Sequence, residues 1–166
     1  MKFELTTVPA HHILCIRNSV PLAEISTFLK PCYERMEALM TKAGADSAGG
    51  RAYTYSISPD DIDIAAAFVV ADQDLEAVQQ AVAEAQAAHG DGSADDVEII
   101  SFEEGPAAMA VHHGSYNQLG QSWEGFAQEL ATQGIKVAEP TFEDYVDRGD
   151  GDGRAAVTNL YWYLPN

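Results

Sequence analysis

Basic residues are scarce in this sequence. Lysine and arginine together number 9 in 166 residues, against 26 aspartate and glutamate residues, and the formal net charge is −17. A surface this acidic repels phosphate backbones and anionic lipid headgroups, which argues against nucleic acid and membrane surfaces as partners. The same charge favours cationic ligands, although many acidic proteins carry such a balance without any site that uses it.

Cysteines are few as well, and the chain has no long apolar segment. Cys15 and Cys32 are the only cysteines, and neither belongs to a Cys-x-x-Cys pair, so both are predicted to be reduced thiols in the core. No stretch approaches the roughly 20 apolar residues that a membrane-spanning helix needs. Met1–Pro9 has no basic start followed by an apolar run, and a cytoplasmic location is therefore expected.

Signatures of metal and cofactor sites are also missing. There is no Gly-x-Ser-x-Gly, Walker or dinucleotide-binding motif. Four histidines resemble metal ligands: His11, His12, His112 and His113. Neighbours on a strand face opposite ways, so these pairs do not predict a metal site. Asp147–Arg154 resembles a calcium loop, but Arg154 stands at a ligand position, and an acidic turn is expected instead. We predict no metal and no cofactor.

What the sequence does contain is an internal repeat. Tyr33 aligns with Trp123 at an offset of 90 residues, and the same offset lays Arg51–Tyr55 over Thr141–Tyr145. Each copy also has an apolar strand after a proline and a final apolar strand. These predicted strands are His12–Ile16 and Ile62–Val70 in the first copy, and Ala107–Val111 and Val157–Leu164 in the second. The first copy covers about residues 1–72 and the second about 97–166.

The helix of each copy has local support. Apolar residues at spacings of three and four form one stripe in the second copy: Leu119, Trp123, Phe126, Ala127 and Leu130. Ser115 and Gln118 fit a capping box before this helix, and Gly134 fits its C-terminal end. In the first copy, Pro31 removes a hydrogen bond, so we expect a break or kink there, with Pro31 starting a second segment.

Together these elements predict an α+β domain over residues 1–166. Each copy must bury one sheet face and one helix stripe, and the two copies do so most simply by packing together. The predicted fold is a tandem strand-helix-strand-strand module with an antiparallel sheet, two main helices and pseudo-two-fold symmetry. Residues 73–96 are expected to form a thin helix on the outside, as a linker. The seam between the copies is the expected ligand groove.

Strand alternation selects a candidate site. If Phe142 and Val146 pack on the core, Glu143 and Tyr145 share the opposite face, toward the seam. The 90-residue offset places Tyr53 and Tyr55 on the corresponding face of the other copy. Aromatic faces attract cations, and a carboxylate among them adds a counter-charge or, with a raised pKa, a base. The plainer alternative is a solvated glutamate beside ordinary half-buried sheet tyrosines.

The order of these motifs resembles the GyrI-like family. The resemblance is carried by four segments: Gly114-Ser115-Tyr116, the helix with Trp123 that ends at Gly134, Glu143-Asp144-Tyr145, and Leu164-Pro165. It implies that Glu143 lies in an aromatic pocket that recognises lipophilic cations. Pocket walls implied by motif or repeat position are Tyr145, Tyr53, Tyr55, Tyr116 and Trp123, with Tyr161 and Tyr163, or Trp162, from the last strand.

The resemblance leaves three functions open. The first is a stand-alone module that senses or sequesters lipophilic cations. The second is a hydrolase of reactive cyclopropane-containing compounds, in which Glu143 activates water and the hydroxyl of Tyr145 or Tyr53 stabilises the developing anion. The third is a protein partner role, as a gyrase inhibitor or beside a regulator. No helix-turn-helix segment or basic arm is present, so direct contact with nucleic acid is not expected.

Overall fold

The computed structural model describes residues 1–47, 50–88, 96–147 and 156–166. The strands are β1 (Glu4–Val8), β2 (His11–Pro21), β3 (Gly50–Ile57), β4 (Asp61–Val70), β5 (Val97–Phe102), β6 (Gly105–His113), β7 (Thr141–Asp147) and β8 (Val157–Tyr163). The helices are α1 (Ile25–Ala43), α2 (Leu75–Ala88) and α3 (Leu119–Thr132). The predicted α+β class is confirmed, and α1, α2 and α3 lie in the segments for which two main helices and one thin helix are predicted. The acidic turn predicted after Asp147 lies outside the described residues.

No helix in the described part of the chain is both long enough and apolar enough to cross a bilayer.

The chain divides into two compact units. Unit 1 contains Met1–Pro9 and Glu104–Asn166, and unit 2 contains Ala10–Glu103. The strand order is β1-β6-β8-β7 in unit 1 and β3-β4-β2-β5 in unit 2, and neighbours within each unit are antiparallel. The predicted repeat boundaries placed β1 in the first copy and β5 in the second. In the structure β1 pairs with β6 of unit 1, and β5 pairs with β2 of unit 2. Alternation predicts that a strand exists but not which strand it pairs with.

Unit 2 buries one sheet face under α1 and α2. Its core contains Leu14, Ile16, Phe68, Met36, Met40, Val78 and Val82. Helix α1 continues through Pro31 without interruption, so the predicted second helical segment does not start there. Proline removes one backbone donor, but Cys32, Met36 and Met40 remain on the buried stripe of the same helix, and their burial offsets that loss.

Helix α2 belongs to this core. Val78 is fully buried and Val82 nearly so, and both lie in the cluster that contains Met36 and Met40. The thin helix predicted for residues 73–96 is therefore present, but it packs as a second helix of unit 2 and not as an external linker.

Unit 1 buries its sheet under α3. Phe126 and Leu130 are buried against Ala108, Ala110 and Leu160. This confirms the stripe predicted along the helix.

The predicted capping box is not formed. Ser115 instead begins a short turn, Tyr116–Gln118, and its hydroxyl accepts a hydrogen bond from the Asn117 amide at 3.2 Å. Helix α3 begins only after Gln118, which makes no side-chain cap. A serine followed three residues later by glutamine fits either arrangement, so the pattern alone does not distinguish them.

Both helix-closing glycines adopt the left-handed conformation, with φ of 72° at Gly44 and 69° at Gly134. We expect Gly134→Ala to lower the free energy of unfolding by about 1 kcal/mol, because an L-residue is strained at this φ. No heavy atom lies within 4 Å of the added Cβ, so crowding does not contribute. Urea denaturation measures the change.

Gly120→Ala is the matched control for this prediction. Gly120 lies in α3 with equally open space around its Cβ, so alanine there should stabilise the protein by about 0.5 kcal/mol through helix propensity. Equal effects of the two substitutions would contradict the backbone explanation.

Candidate functional site

Register places Glu143 on the face of the unit 1 sheet that α3 covers. Glu143 lies opposite Leu160 on β8, and Leu160 packs against Phe126 of α3. Tyr145 shares this face, whereas Phe142 lies on the other, as the alternation predicts. Val146, which strict alternation places on the same face as Phe142, is 57% exposed, and the β7 register shifts at that residue.

Two aromatic side chains fix the Glu143 carboxylate. Trp123 donates its indole N–H to Oε2 at 2.7 Å, and the Tyr145 hydroxyl donates to Oε1 at 2.7 Å. One donor comes from α3 and the other from β7 itself, so helix packing and strand alternation both set the orientation of the carboxylate. Each oxygen retains a lone pair for a further partner.

Burial raises the pKa of Glu143 above its usual value. The hydrogen bonds from Trp123 and Tyr145, and the nearby His112, lower that pKa without cancelling the burial. As a whole residue Glu143 is half-buried, while its carboxylate lies deep in the site. A carboxylate that is costly to ionise gains more than a surface carboxylate does when a positive charge approaches.

Aromatic rings extend the surroundings of Glu143. Tyr116 meets Tyr145 edge to face at 5.7 Å between ring centroids, and Tyr116 is 41% exposed. Trp123 contacts Trp162 edge to face at 5.8 Å. Unit 1 therefore brings together Glu143 and the predicted Tyr145, Tyr116 and Trp123.

The last strand divides its aromatic residues between two faces. Trp162 lies on the α3 side, packed against the cluster that contains Phe126. Tyr161 stacks on Phe142 at 4.5 Å between centroids, and Tyr163 also contacts Phe142. Tyr161 and Tyr163 therefore lie on the sheet face opposite Glu143, and Trp162 is the last-strand residue that shares its face.

The face correspondence predicted for Tyr53 is wrong. In unit 2, Ala52 lies opposite Ala66 on the side that packs against α1, so Tyr53 lies on the other side. The residue equivalent to Glu143 by sheet face is Ala52, an offset of 91 and not 90 (143 − 52). Because side chains alternate along a strand, a one-residue slip moves every residue to the opposite face.

Tyr53 and Tyr55 have their own partners in unit 2. Tyr53 is fully buried, and its hydroxyl lies 2.8 Å from His11 Nε2 and accepts a hydrogen bond from Arg51 at 2.9 Å. The Arg17 guanidinium lies over the Tyr55 ring, 3.7 Å from its centroid. Burial raises the pKa of Tyr55 to about 12. Their assignment to a ligand groove at the seam stays a prediction.

Sequence reasoning missed the role of His112, which it considered only as a metal ligand. The imidazole is 4% exposed; Nδ1 lies 2.7 Å from the Ser122 hydroxyl, and Nε2 lies 2.9 Å from the Ser115 carbonyl oxygen. His112 follows Ala108 and Ala110 on the α3 face of β6. A histidine at an inward position of an apolar strand was the available signal.

The cysteines and metal candidates give simpler results. Cys15 and Cys32 are buried and unbridged, as predicted, and burial raises the pKa of Cys15 to about 12. Among the residues that the structure describes, no group of three or more His, Cys, Asp or Glu side chains is placed to hold a metal ion.

With the site in place, comparison with known proteins identifies the family. The family model for the GyrI-like small molecule binding domain matches residues 1–164. This chain belongs to the GyrI-like family. It is therefore a small-molecule-binding domain, and the family resemblance inferred from the motifs is confirmed. No curated protein matches the sequence.

Solved structures of this fold cover nearly the whole chain. The C-terminal domain of EcmrR is 14% identical, with a TM-score of 0.72 over 99% of this chain and 98% of that one. SAV2435 bound to tetraphenylphosphonium is 16% identical, with a TM-score of 0.68 over 100% and 95%. A hydrolase from Listeria innocua is 16% identical, with a TM-score of 0.65 over 99% and 92%. Identities this low show a shared fold only.

Proposed function

We propose that this GyrI-like domain binds a lipophilic cation at Glu143, with Trp123, Tyr145 and Tyr116 forming an aromatic surface around the charge. One observation carries the proposal: both oxygens of a buried carboxylate are oriented by aromatic donors, and each retains a lone pair for a further partner. A structural neighbour of 16% identity, SAV2435, is bound to a cation of this class, which supports the choice of ligand.

The energetics favour a delocalised cation. A ring facing a cation contributes roughly 0.5–2 kcal/mol, depending on how far both are desolvated. The buried charge of Glu143 adds a counter-ion. A small inorganic cation must lose its hydration shell to reach it, whereas a lipophilic cation is weakly hydrated and loses less. The hydrogen bonds already made to the carboxylate also reduce the ordering cost of binding.

Fluorescence titration with tetraphenylphosphonium tests the proposal. Trp123 and Trp162 are the only tryptophans in the chain and contact each other, so emission reports directly on the region of Glu143. We expect saturable quenching or a spectral shift. Ligand at 100 times its Kd should also stabilise the protein by about 2.7 kcal/mol in thermal denaturation.

Triphenylphosphine oxide is a neutral control with similar aromatic groups. It should bind at least tenfold more weakly, since it lacks the charge that Glu143 attracts; tenfold corresponds to about 1.4 kcal/mol. Equal affinity for the two compounds, or no response to tetraphenylphosphonium, would contradict a role for Glu143 as counter-charge.

A second candidate function is hydrolysis. The raised pKa of Glu143 favours it, because a general base works best when its pKa lies near the working pH. Glu143 would take a proton from the water that attacks a reactive cyclopropane-containing compound, and the Tyr145 hydroxyl would turn from Oε1 to donate to the developing anion. The proton would then pass from Glu143 to that anion. This function requires product beyond one equivalent of protein, and Glu143→Ala should abolish that turnover. Stoichiometric binding without product argues against it for the compounds tested.

A further inference from the structure

His112 lies on the same sheet face as Glu143, and its only role in the site described so far is to lower the pKa of that carboxyl. It stands opposite Thr158 on β8, and Thr158 in turn stands opposite Tyr145 on β7. The hydroxyl of Tyr145 donates to Glu143. A row of three paired residues therefore leads from the Glu143 site to the imidazole.

The hydrogen bonds of His112 suit both of its charge states. Nε2 must carry a proton in either state, because the Ser115 carbonyl oxygen only accepts. Nδ1 accepts from the Ser122 hydroxyl when the ring is neutral and donates to the same oxygen when it is charged. Rotation of one hydroxyl is thus the only change needed, and His112 gains or loses a proton without losing a partner.

A cavity gives this proton a path to solvent. His112 and Ser122 line an open cavity of about 330 Å³, together with Met1, His113 and Gln121. Ser122, whose hydroxyl is bonded to Nδ1, therefore belongs to the wall of a cavity that is open to solvent. This path does not pass through Glu143.

The charges that face His112 are few. Glu143 and Tyr145 lie on the same sheet face on β7. Tyr116 lies in the turn before α3, His113 follows on β6, and Met1 lines the shared cavity. β8 presents Thr158, and α3 presents Ser122 and Gln121, all uncharged. Glu143 is the only acidic side chain in this set, so a proton on His112 is balanced chiefly by Glu143.

We propose that His112 holds a proton that a cationic ligand at Glu143 displaces, so that cation binding releases a proton into the adjoining cavity. This inference rests on the proposed function. Histidine is the side chain whose charge changes most readily near neutral pH, which suits it to such an exchange. The proton on His112 and the cationic ligand are both balanced by the Glu143 carboxylate, although they occupy different positions.

Strand spacing sets the size of the effect. Glu143 and His112 are separated by two strand spacings and two residues along the strand, or about 12 Å between Cα atoms. At an effective dielectric constant of about 20, unit charges that far apart change each other's binding by roughly tenfold. The affinity for a cation should accordingly fall by about tenfold when His112 is protonated.

Nuclear magnetic resonance of the full chain tests the exchange without any substitution. Saturation with tetraphenylphosphonium should lower the midpoint of the His112 ring titration by about one pH unit, which is the tenfold coupling. His12, whose Nδ1 pairs with Ser101 in unit 2, is the internal reference and should move less. A His112 midpoint that moves no more than that of His12 overturns the inference.

Calorimetry in buffers of different ionisation enthalpy identifies the source of the proton. Wild type should release a fraction of a proton per tetraphenylphosphonium bound, and His112→Gln should release none. Ser122→Ala keeps the imidazole and should still release the proton. Release that is undiminished in His112→Gln assigns the proton to Glu143 and overturns the inference. Absence of any tetraphenylphosphonium binding by wild type is a different result, because it rejects the proposed function itself.

Discussion

Glu143→Gln is expected to weaken tetraphenylphosphonium binding by at least tenfold, or about 1.4 kcal/mol, the scale of one charge-assisted contact. The substitution removes the charge and little else. The glutamine carbonyl still accepts from Trp123, and its amide donates to the Tyr145 hydroxyl, which rotates to accept. Isothermal calorimetry or tryptophan emission gives the affinity. Because the geometry is retained, a loss of affinity reports on charge.

The same substitution should leave the ligand-free protein at least as stable as wild type at pH 7. The pKa of Glu143 is raised in the folded state, so the folded state holds this proton more tightly than the unfolded chain does. The resulting stabilisation is complete below the unfolded pKa and is lost as the pH rises through the higher folded pKa. Ionisation of this carboxyl therefore costs stability, and glutamine, which stays neutral, removes that cost.

Glu124→Gln is the matched control for both readouts. Glu124 follows Trp123 on α3 and is exposed, so this variant has the same net charge but an intact Glu143. Its affinity for tetraphenylphosphonium should stay within about threefold of wild type, since exposed charges are screened. If both variants lose affinity equally, the overall acidity of the protein and not Glu143 attracts the cation. A Glu143→Gln variant with wild-type affinity removes Glu143 from the site.

The part of the site that sequence could predict depends on local periodicity. Alternation along β7 is sufficient to place Glu143 and Tyr145 together, and the stripe of α3 is sufficient to bury Phe126. Neither pattern predicts the hydrogen bond from Trp123 to Glu143. That contact depends on how α3 is docked over β7, which is a property of packing and not of spacing.

The sequence-based predictions were wrong where contacts between distant parts of the chain decide the structure. The 90-residue offset holds for Gly44 and Gly134, which close equivalent helices, but the strands that follow are related by an offset of 91. An offset of 90 therefore predicts the wrong sheet face for Tyr53. Likewise, the partners of β1 and β5 are set by which sheet edge each strand reaches, and a short apolar strand carries no signal for that. The sequence does not predict the role of His112, because that role depends on a hydrogen bond with Ser122, which lies ten residues further along the chain on α3.

Phe126→Ala should have the largest effect on stability, a loss of about 3–5 kcal/mol in the free energy of unfolding. Phe126 is fully buried and lies about 6 Å from three other rings, with centroid distances of 5.9 Å to Trp123, 5.9 Å to Trp162 and 6.1 Å to Phe3. Removing it leaves a cavity beneath the indole that donates to Glu143. Urea denaturation should show the loss directly, since it is a large part of the total stability of a domain this size.

Phe126→Leu tests whether the Phe126 ring orients Trp123 for cation binding, separately from its contribution to the stability of the fold. Leucine fills most of the space and should cost no more than about 1.5 kcal/mol, so the protein remains folded at 25 °C. It does not present a flat ring to the stacked face of Trp123, from which the phenyl is tilted by only 22°. If that ring holds the indole toward Glu143, the folded leucine variant should bind tetraphenylphosphonium several-fold more weakly than wild type and show altered tryptophan emission before any ligand is added. Wild-type affinity in this variant would mean that Glu143 and Tyr145 set the cation site without help from the core beneath them.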